Sequence, residues 1–374
     1  MSDESPGTPS LRRRLGFTAL VSVVLLLGVE GLARALESSV LPFERHLPVA
    51  APIVGLGDFP EIRAAVERLG DERPDWGTRI PLAEDPNLGW ALAPNADFRS
   101  GGVDIRSDER GLRASDLPRF ADDELRLLSL GDSSVFGTGV EAEEVFLSVA
   151  RSVLARAWGR PVVAVNGGVP GFSSTQSLEL GRQLVPAARP TWVVVANLWS
   201  DVYRRPESYR DQDRAALASA RSALRHSAAY RALWRLLTPV LTARKVGYID
   251  ARDDIGEVGT ARPCRVALPD YAANLAAIAD LCAQLGARVA FLILPAPMDQ
   301  DAVPPPHAVQ EFRATLRRVA GERQAPLLDG PALFAASDAG LALFDDHVHP
   351  SVEGHLLLGV GLADLLKDLP PRSL

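Results

Sequence analysis

From Leu125 onward, short apolar runs alternate with segments of helical length, and this alternation restricts the fold more than any other feature. The runs are Leu125–Leu130, Val162–Val165, Trp192–Ala196, Val289–Leu294 and Pro326–Leu328. Segments long enough for helices lie among them, at Val145–Ala157, Leu178–Leu184, Tyr271–Leu285 and Val309–Ala320. Continuous apolar runs suit strands buried on both faces, and parallel strands need crossovers of about a dozen residues or more. The pattern therefore predicts an α/β fold whose mostly parallel sheet is covered by helices on both faces.

Three other regions flank or interrupt this pattern. Arg12-Arg13-Arg14 precedes an apolar run, Leu15–Val29, which Glu30 interrupts before Gly31–Leu36 partly resumes it. The uninterrupted run is shorter than the about 20 residues a spanning helix needs and suits a signal h-region, with Ala33-x-Ala35 as a cleavage candidate. Between a removed signal and a retained anchor over residues 1–36 we expect the anchor, and the basic flank places the rest of the chain outside the cytoplasm, periplasmic or at the cell surface. Residues 37–119 read as a linker punctuated by Pro and Gly, with a short helix near Phe59–Leu69, and then a leader of two or three small strands over Leu82–Arg119. Residues 120–374 make the main domain. It carries an insertion at 203–267 with an amphipathic helix at Ala215–Leu237, suited to a lid, a partner surface or a peripheral packing element.

Composition excludes more than it identifies. A net charge of −7, with no basic cluster beyond Arg12–Arg14, gives no footing for a nucleic-acid partner. Lys245 and Lys367 are the only lysines, and the predominance of arginine reads as a composition bias. Cys264 and Cys282 would lie about 20 Å apart if a helix from Leu268 carries the second, too far for a disulfide.

Three polar strand ends and one stretch ahead of the C-terminal helix carry chemistry. Gly131-Asp132-Ser133-Ser134 follows the first run, so Ser133 sits at a helix N-terminus, although an isolated Asp-Ser there also reads as an N-cap. Asn166-Gly167-Gly168 and Pro170-Gly171 follow the second, where glycine lets backbone N–H groups approach a ligand. Asn197 and Ser200 follow the third, and either can donate a hydrogen bond. Near the C-terminus, Asp346 and His349 are spaced for a carboxylate to hold one imidazole nitrogen while the other takes a proton from a hydroxyl. A rival reading makes Asp345, Asp346, His347 and His349 metal ligands. It lacks a companion motif, so we expect neither metal nor cofactor.

Taken together, Gly131–Ser134, Asn166–Gly171 and Asp346–Pro350 resemble the ordered blocks of the SGNH (GDSL-type) esterase/lipase family over roughly Leu125–Leu366. The resemblance implies a three-layer α/β/α sandwich with about five parallel strands, flavodoxin-like. It also implies Ser133 as nucleophile, His349 as general base, Asp346 as its orienting acid, and Gly171 as a backbone donor to the oxyanion. Where the family usually carries Asn-Asp, this chain has Ser200-Asp201, which leaves Ser200 or Asn197 as a further oxyanion donor. Leu82–Leu117, with Leu88-Gly89-Trp90, Pro94 and Gly111-Leu112-Arg113, resembles the leader ahead of the hydrolase domain in exported, membrane-anchored relatives. The implied activity is hydrolysis of acyl or acetyl esters of envelope lipids or glycans through an acyl-enzyme. The alternatives are an O-acyltransferase using the same triad and a catalytically weakened envelope carbohydrate-binding protein.

Overall fold

Leu125, Leu127, Leu128 and Leu130 are all buried, as are Trp192 through Ala196, so these runs form strands at the centre of a sheet. In the computed structural model of the chain, β1 (Leu125–Gly131), β2 (Val162–Gly168), β3 (Trp192–Ala196), β4 (Arg288–Ile293) and β5 (Leu327–Asp329) pair in the order β5-β4-β3-β1-β2, every pairing parallel. The structure describes residues 11–39, 56–57, 82–83, 85, 88, 90–100, 102–113, 124–203, 227–229, 233, 249–250, 264–300 and 304–369. The chain runs outward from β1 to β2 in one direction and through β3, β4 and β5 in the other. The strand order thus reverses between β1 and β3, the place where open α/β sheets hold their ligands.

Helices cover both faces. Helix α1 (Leu11–Ser39) precedes the sheet. It is followed by α2 (Ser133–Phe136), α3 (Phe146–Trp158), α4 (Ser174–Ala188), α5 (Trp199–Val202), α6 (Leu268–Gln284), α7 (His307–Glu322) and α8 (Val352–Lys367). α3 packs against α8, whereas α6 packs against both α4 and α7, which gives the two outer layers of an α/β/α sandwich. Cys264 and Cys282 are buried and not joined in a disulfide, and burial pushes the Cys282 thiol up to about 12.

The leader forms two antiparallel ribbons, Leu82–Ala83 with Ala91–Leu92 and Asp97–Ser100 with Val103–Arg106. Four short strands thus stand where two or three were expected. Trp90, Leu92, Ile105 and Leu112 join the core of the sheet domain, and 48–218 with 246–374 form one compact unit. Arg113 is 2% exposed and carries this junction. Its guanidinium donates to the carbonyls of Phe136 (2.7 Å), Gly137 and Val140, and it stacks over the Phe136 ring. Phe136 O and Gly137 O lie at the end of the helix that begins at Ser133, where the last carbonyls have no partners within the helix, and Val140 O lies in the turn beyond it. Arg113→Met keeps the stem and removes the guanidinium donors, so that Phe136 O keeps only Asn166 Nδ2 (3.2 Å), Gly137 O only a long bond from Val140 N (3.4 Å), and Val140 O loses its donor. We expect a loss of about 3 kcal/mol of stability, read as a lower melting temperature of the full chain in detergent.

The insertion leaves and returns at one point. Arg265 N donates to Tyr203 O (2.7 Å) and Val266 N to Asp201 O (3.2 Å), closing its stem. The helices expected at Phe59–Leu69 and, but for residues 227–229 and 233, at Ala215–Leu237 lie outside the described residues.

Met1–Leu47 and Ser219–Lys245 form a second compact unit. Within it, α1 runs unbroken through Glu30, the residue that interrupts the apolar run. The Glu30 carboxylate accepts from Ser227 Oγ (2.6 Å), Ala228 N (2.9 Å), Ala229 N (3.1 Å) and Arg34 Nε (2.8 Å), so the charge is compensated and the helix continues. Gly16–Ala35 is 20 residues long and apolar enough to cross a membrane.

Candidate active site

The β1 strand ends at Gly131, and the chain turns directly into α2. Asp132 is the N-cap, its Oδ1 accepting from Ser134 N (3.0 Å). The N-cap reading of this turn is therefore correct for Asp132, and Ser133, at the first helical position, keeps its hydroxyl for something else. Asp132 is fully buried and also accepts from the backbone N–H groups of Ser200 and Trp199, so one carboxylate joins the turns after β1 and β3 across the switch point. Burial pushes it up to about 6 against these hydrogen bonds.

Near its C-terminus the chain returns to the same place. Asp346 Oδ1 accepts from Val348 N and His349 N, both at 2.8 Å, and its Oδ2 lies 2.6 Å from His349 Nδ1. His349 Nε2 lies 2.8 Å from Ser133 Oγ. A carboxylate only accepts, so the imidazole proton sits on Nδ1 and Nε2 is left to accept from the Ser133 hydroxyl. Ser134 Oγ donates to Val348 O (3.2 Å), which locks the two loops together. Both ring nitrogens of His349 are engaged, which removes its ring from the rival metal set.

Electrostatics follow from this burial. Burial pushes Asp346 up, but the His349 and His347 rings and the hydrogen bonds from His349 and Val348 outweigh it and hold Asp346 well below the usual carboxylate range. For His349 burial works downward, and it is outweighed by Asp346, with Asp132 and Asp345 adding, so the imidazole is held above its ordinary 6.5. A base must be neutral to accept a proton, so kcat/KM should rise with pH through a limb above 6.5. Asp345, raised to about 6 by burial and by Asp346, is ionised across that limb. Asp345→Asn should therefore move the limb to lower pH, and a pH–rate profile reads this directly.

The other expected site residues gather at the same edge. Gly168 packs so closely that a Cβ would collide with the Phe136 backbone, and Asn166 Nδ2 donates to Phe136 O (3.2 Å). Gly171 takes φ +78°, a conformation L side chains rarely adopt, and is partly open to solvent. Ser200 takes the second position of α5 and is 6% exposed. Asn197 is enclosed completely, and neither atom of its amide has a partner among the described residues. Asp201, to which the sequence pattern assigned no task, accepts from Ser174 N with both oxygens (2.9 and 3.1 Å) and so caps α4. A cavity of about 250 Å³ lined by Leu88, Leu112, Val169, Leu180 and Leu184 includes none of Ser133, Asp346 or His349.

A Ser–His–Asp line joins the turn after β1 to the loop before α8, and residues 129–357 match the GDSL-like Lipase/Acylhydrolase family. The chain belongs to this family. The matched stretch exceeds half of the GDSL-like hydrolase and contains Ser133, Gly171, Ser200, Asp346 and His349, whereas Trp90 and Arg113 precede it. Membership makes the chain an ester hydrolase. Solved structures similar to this hydrolase include the lipase/acylhydrolase from Enterococcus faecalis, at 15% identity over 67% of this chain and 100% of that one, with a TM-score of 0.43. TesA is 18% identical over 66% and 99% of the two chains (TM-score 0.42). Axe2, an acetylxylan esterase from Geobacillus stearothermophilus, is 16% identical over 65% and 94% (TM-score 0.43). No curated protein matches the GDSL-like hydrolase.

Proposed function

We propose that the chain is a membrane-anchored serine esterase that works through an acyl-enzyme on Ser133. The observation that carries this reading is the unbroken line Asp346–His349–Ser133, at 2.6 and 2.8 Å. Ser133 Oγ attacks the ester carbonyl while His349 Nε2 takes its proton, and Asp346 holds the imidazolium that forms. The tetrahedral oxyanion is met by the N–H groups of Gly171 and Ser133, with Ser200 as third donor. The amide of Asn197 is sealed from solvent, which favours Ser200 over Asn197 for that role. The alkoxide leaves with the proton from His349, and water attacks the acyl-enzyme by the same route to release the carboxylic acid.

The location is proposed on α1. Gly16–Ala35 at 1.5 Å per residue reaches about 30 Å, the thickness of a hydrocarbon core, which favours a retained anchor over a short signal h-region. With Arg12–Arg14 on the inner side, the hydrolase faces outward, toward acyl or acetyl esters of envelope lipids or glycans. The test is a product assay with the full chain in detergent, using short and long acyl esters with and without a sugar acceptor. We expect free carboxylic acid in both cases. Acylated sugar in place of free acid would reassign the chain as an acyltransferase.

A further inference from the structure

The peptide bond that joins Pro170 to Gly171 is held from the leader. Trp90 is 1% exposed, and its indole Nε1–H donates to Pro170 O at 3.0 Å. Pro170 C=O and Gly171 N–H belong to one planar trans peptide, so fixing the carbonyl toward Trp90 turns the N–H to the opposite side. The next carbonyl is fixed too, since Arg265 donates to Gly171 O while its guanidinium lies over the Trp90 ring, 5.3 Å from the centroid. Arg265 also donates to Gln176 Oε1, and Gln176 Nε2 donates to Leu88 O (2.6 Å), which closes the bracket back onto the leader. A Cβ on Gly171 would lie 3.3 Å from the Trp90 ring, so the indole face also limits where this glycine can go.

We infer that Trp90 is a positioning residue for the oxyanion-binding N–H of Gly171, with Arg265 holding the following peptide. The leader is then a working part of the esterase site, although the family match begins only at residue 129. The inference rests on the proposed roles of Ser133 and Gly171. A glycine at φ +78° has no side chain to anchor it, and the backbone of such a loop can rotate through several orientations. Residues 169–172 form a turn closed by Phe172 N on Val169 O (3.0 Å), a bond that either orientation of the central Pro170–Gly171 peptide can keep, and the Trp90 donor on Pro170 O holds the orientation that aims the Gly171 N–H at the developing charge. A donor aligned before reaction need not reorganise during it, which is the condition for electrostatic stabilisation of a transition state.

Two variants of the full chain in detergent test this. Trp90→Phe removes the N–H and shortens the ring. Replacement by 3-benzothienylalanine, in which sulfur stands for the N–H, keeps the bicyclic volume and so guards against a folding failure. The rate of labelling by a fluorophosphonate and the kcat and KM for p-nitrophenyl acetate are measured beside the melting temperature. We expect labelling and kcat to fall about tenfold in both variants, less than the about 10²–10³ for loss of an oxyanion donor itself, with KM within twofold. A benzothienylalanine variant that labels and turns over at the wild-type rate would overturn the assignment while leaving the nucleophile in place. A fall in melting temperature with kcat unchanged would overturn it equally, by making Trp90 a packing residue. A folded wild type that does not label removes the nucleophile reading and this inference with it.

Discussion

Ser133→Ala is expected to lower kcat by about 10⁴–10⁶-fold, roughly 5–8 kcal/mol of transition-state stabilisation. The melting temperature should not change. The turn is held by the Asp132 side chain on Ser134 N and by Ser134 Oγ on Val348 O, so the Ser133 hydroxyl contributes to no cap. The hydroxyl faces His349 Nε2, and the variant leaves that nitrogen in a partly open site where water replaces the hydroxyl. Steady-state turnover of p-nitrophenyl acetate and a thermal melt check both halves of this expectation. Ser134→Ala serves as the contrast. It loses a loop contact at 3.2 Å and should reduce stability modestly while keeping most of the turnover.

Asp346→Asn is expected to lower kcat by about 10⁴-fold with little change in fold. Asp346 Oδ1 accepts two backbone N–H groups, and the amide oxygen of asparagine can do the same. Satisfying them turns the amide NH₂ toward His349 Nδ1, where the carboxylate oxygen had been at 2.6 Å. An N–H facing Nδ1 forces the imidazole proton onto Nε2, and Nε2 can then no longer accept from Ser133. Loss of the carboxylate charge also removes what holds His349 above 6.5, so the residual activity should show its acid limb at lower pH than the wild type. A variant that lost activity with its limb unmoved would mean that Asp346 acts through loop structure and not through the imidazole.

Much of this arrangement was legible because periodicity and polar strand ends are local signals. Trp192–Ala196 is a strand with the bounds its apolar run has, and Leu125–Leu130 lengthens only by Gly131. Asp346 and His349 were readable from a three-residue spacing, and Ser133 from its place after a buried strand. The order of the strands was not readable from the apolar runs themselves and came only with the flavodoxin-like fold that the resemblance implies, whose order the sheet has. Arginine was the most misleading residue type. Its abundance looked like composition, yet Arg113 and Arg265 are buried and each satisfies carbonyls or amides of loops around Ser133. A planar guanidinium offers five donors, so it can tie several carbonyls at once, and nothing in the local sequence shows which carbonyls those will be. The same holds for Asp132 and Asp201, whose partners lie on other strand ends.

A covalent intermediate on Ser133 is tested by intact-protein and peptide mass spectrometry after fluorophosphonate treatment. One adduct per chain is expected, on the peptide that contains Ser133, absent from Ser133→Ala and strongly slowed in His349→Ala. An adduct on a different residue, or none on a folded chain that still hydrolyses esters, would contradict it.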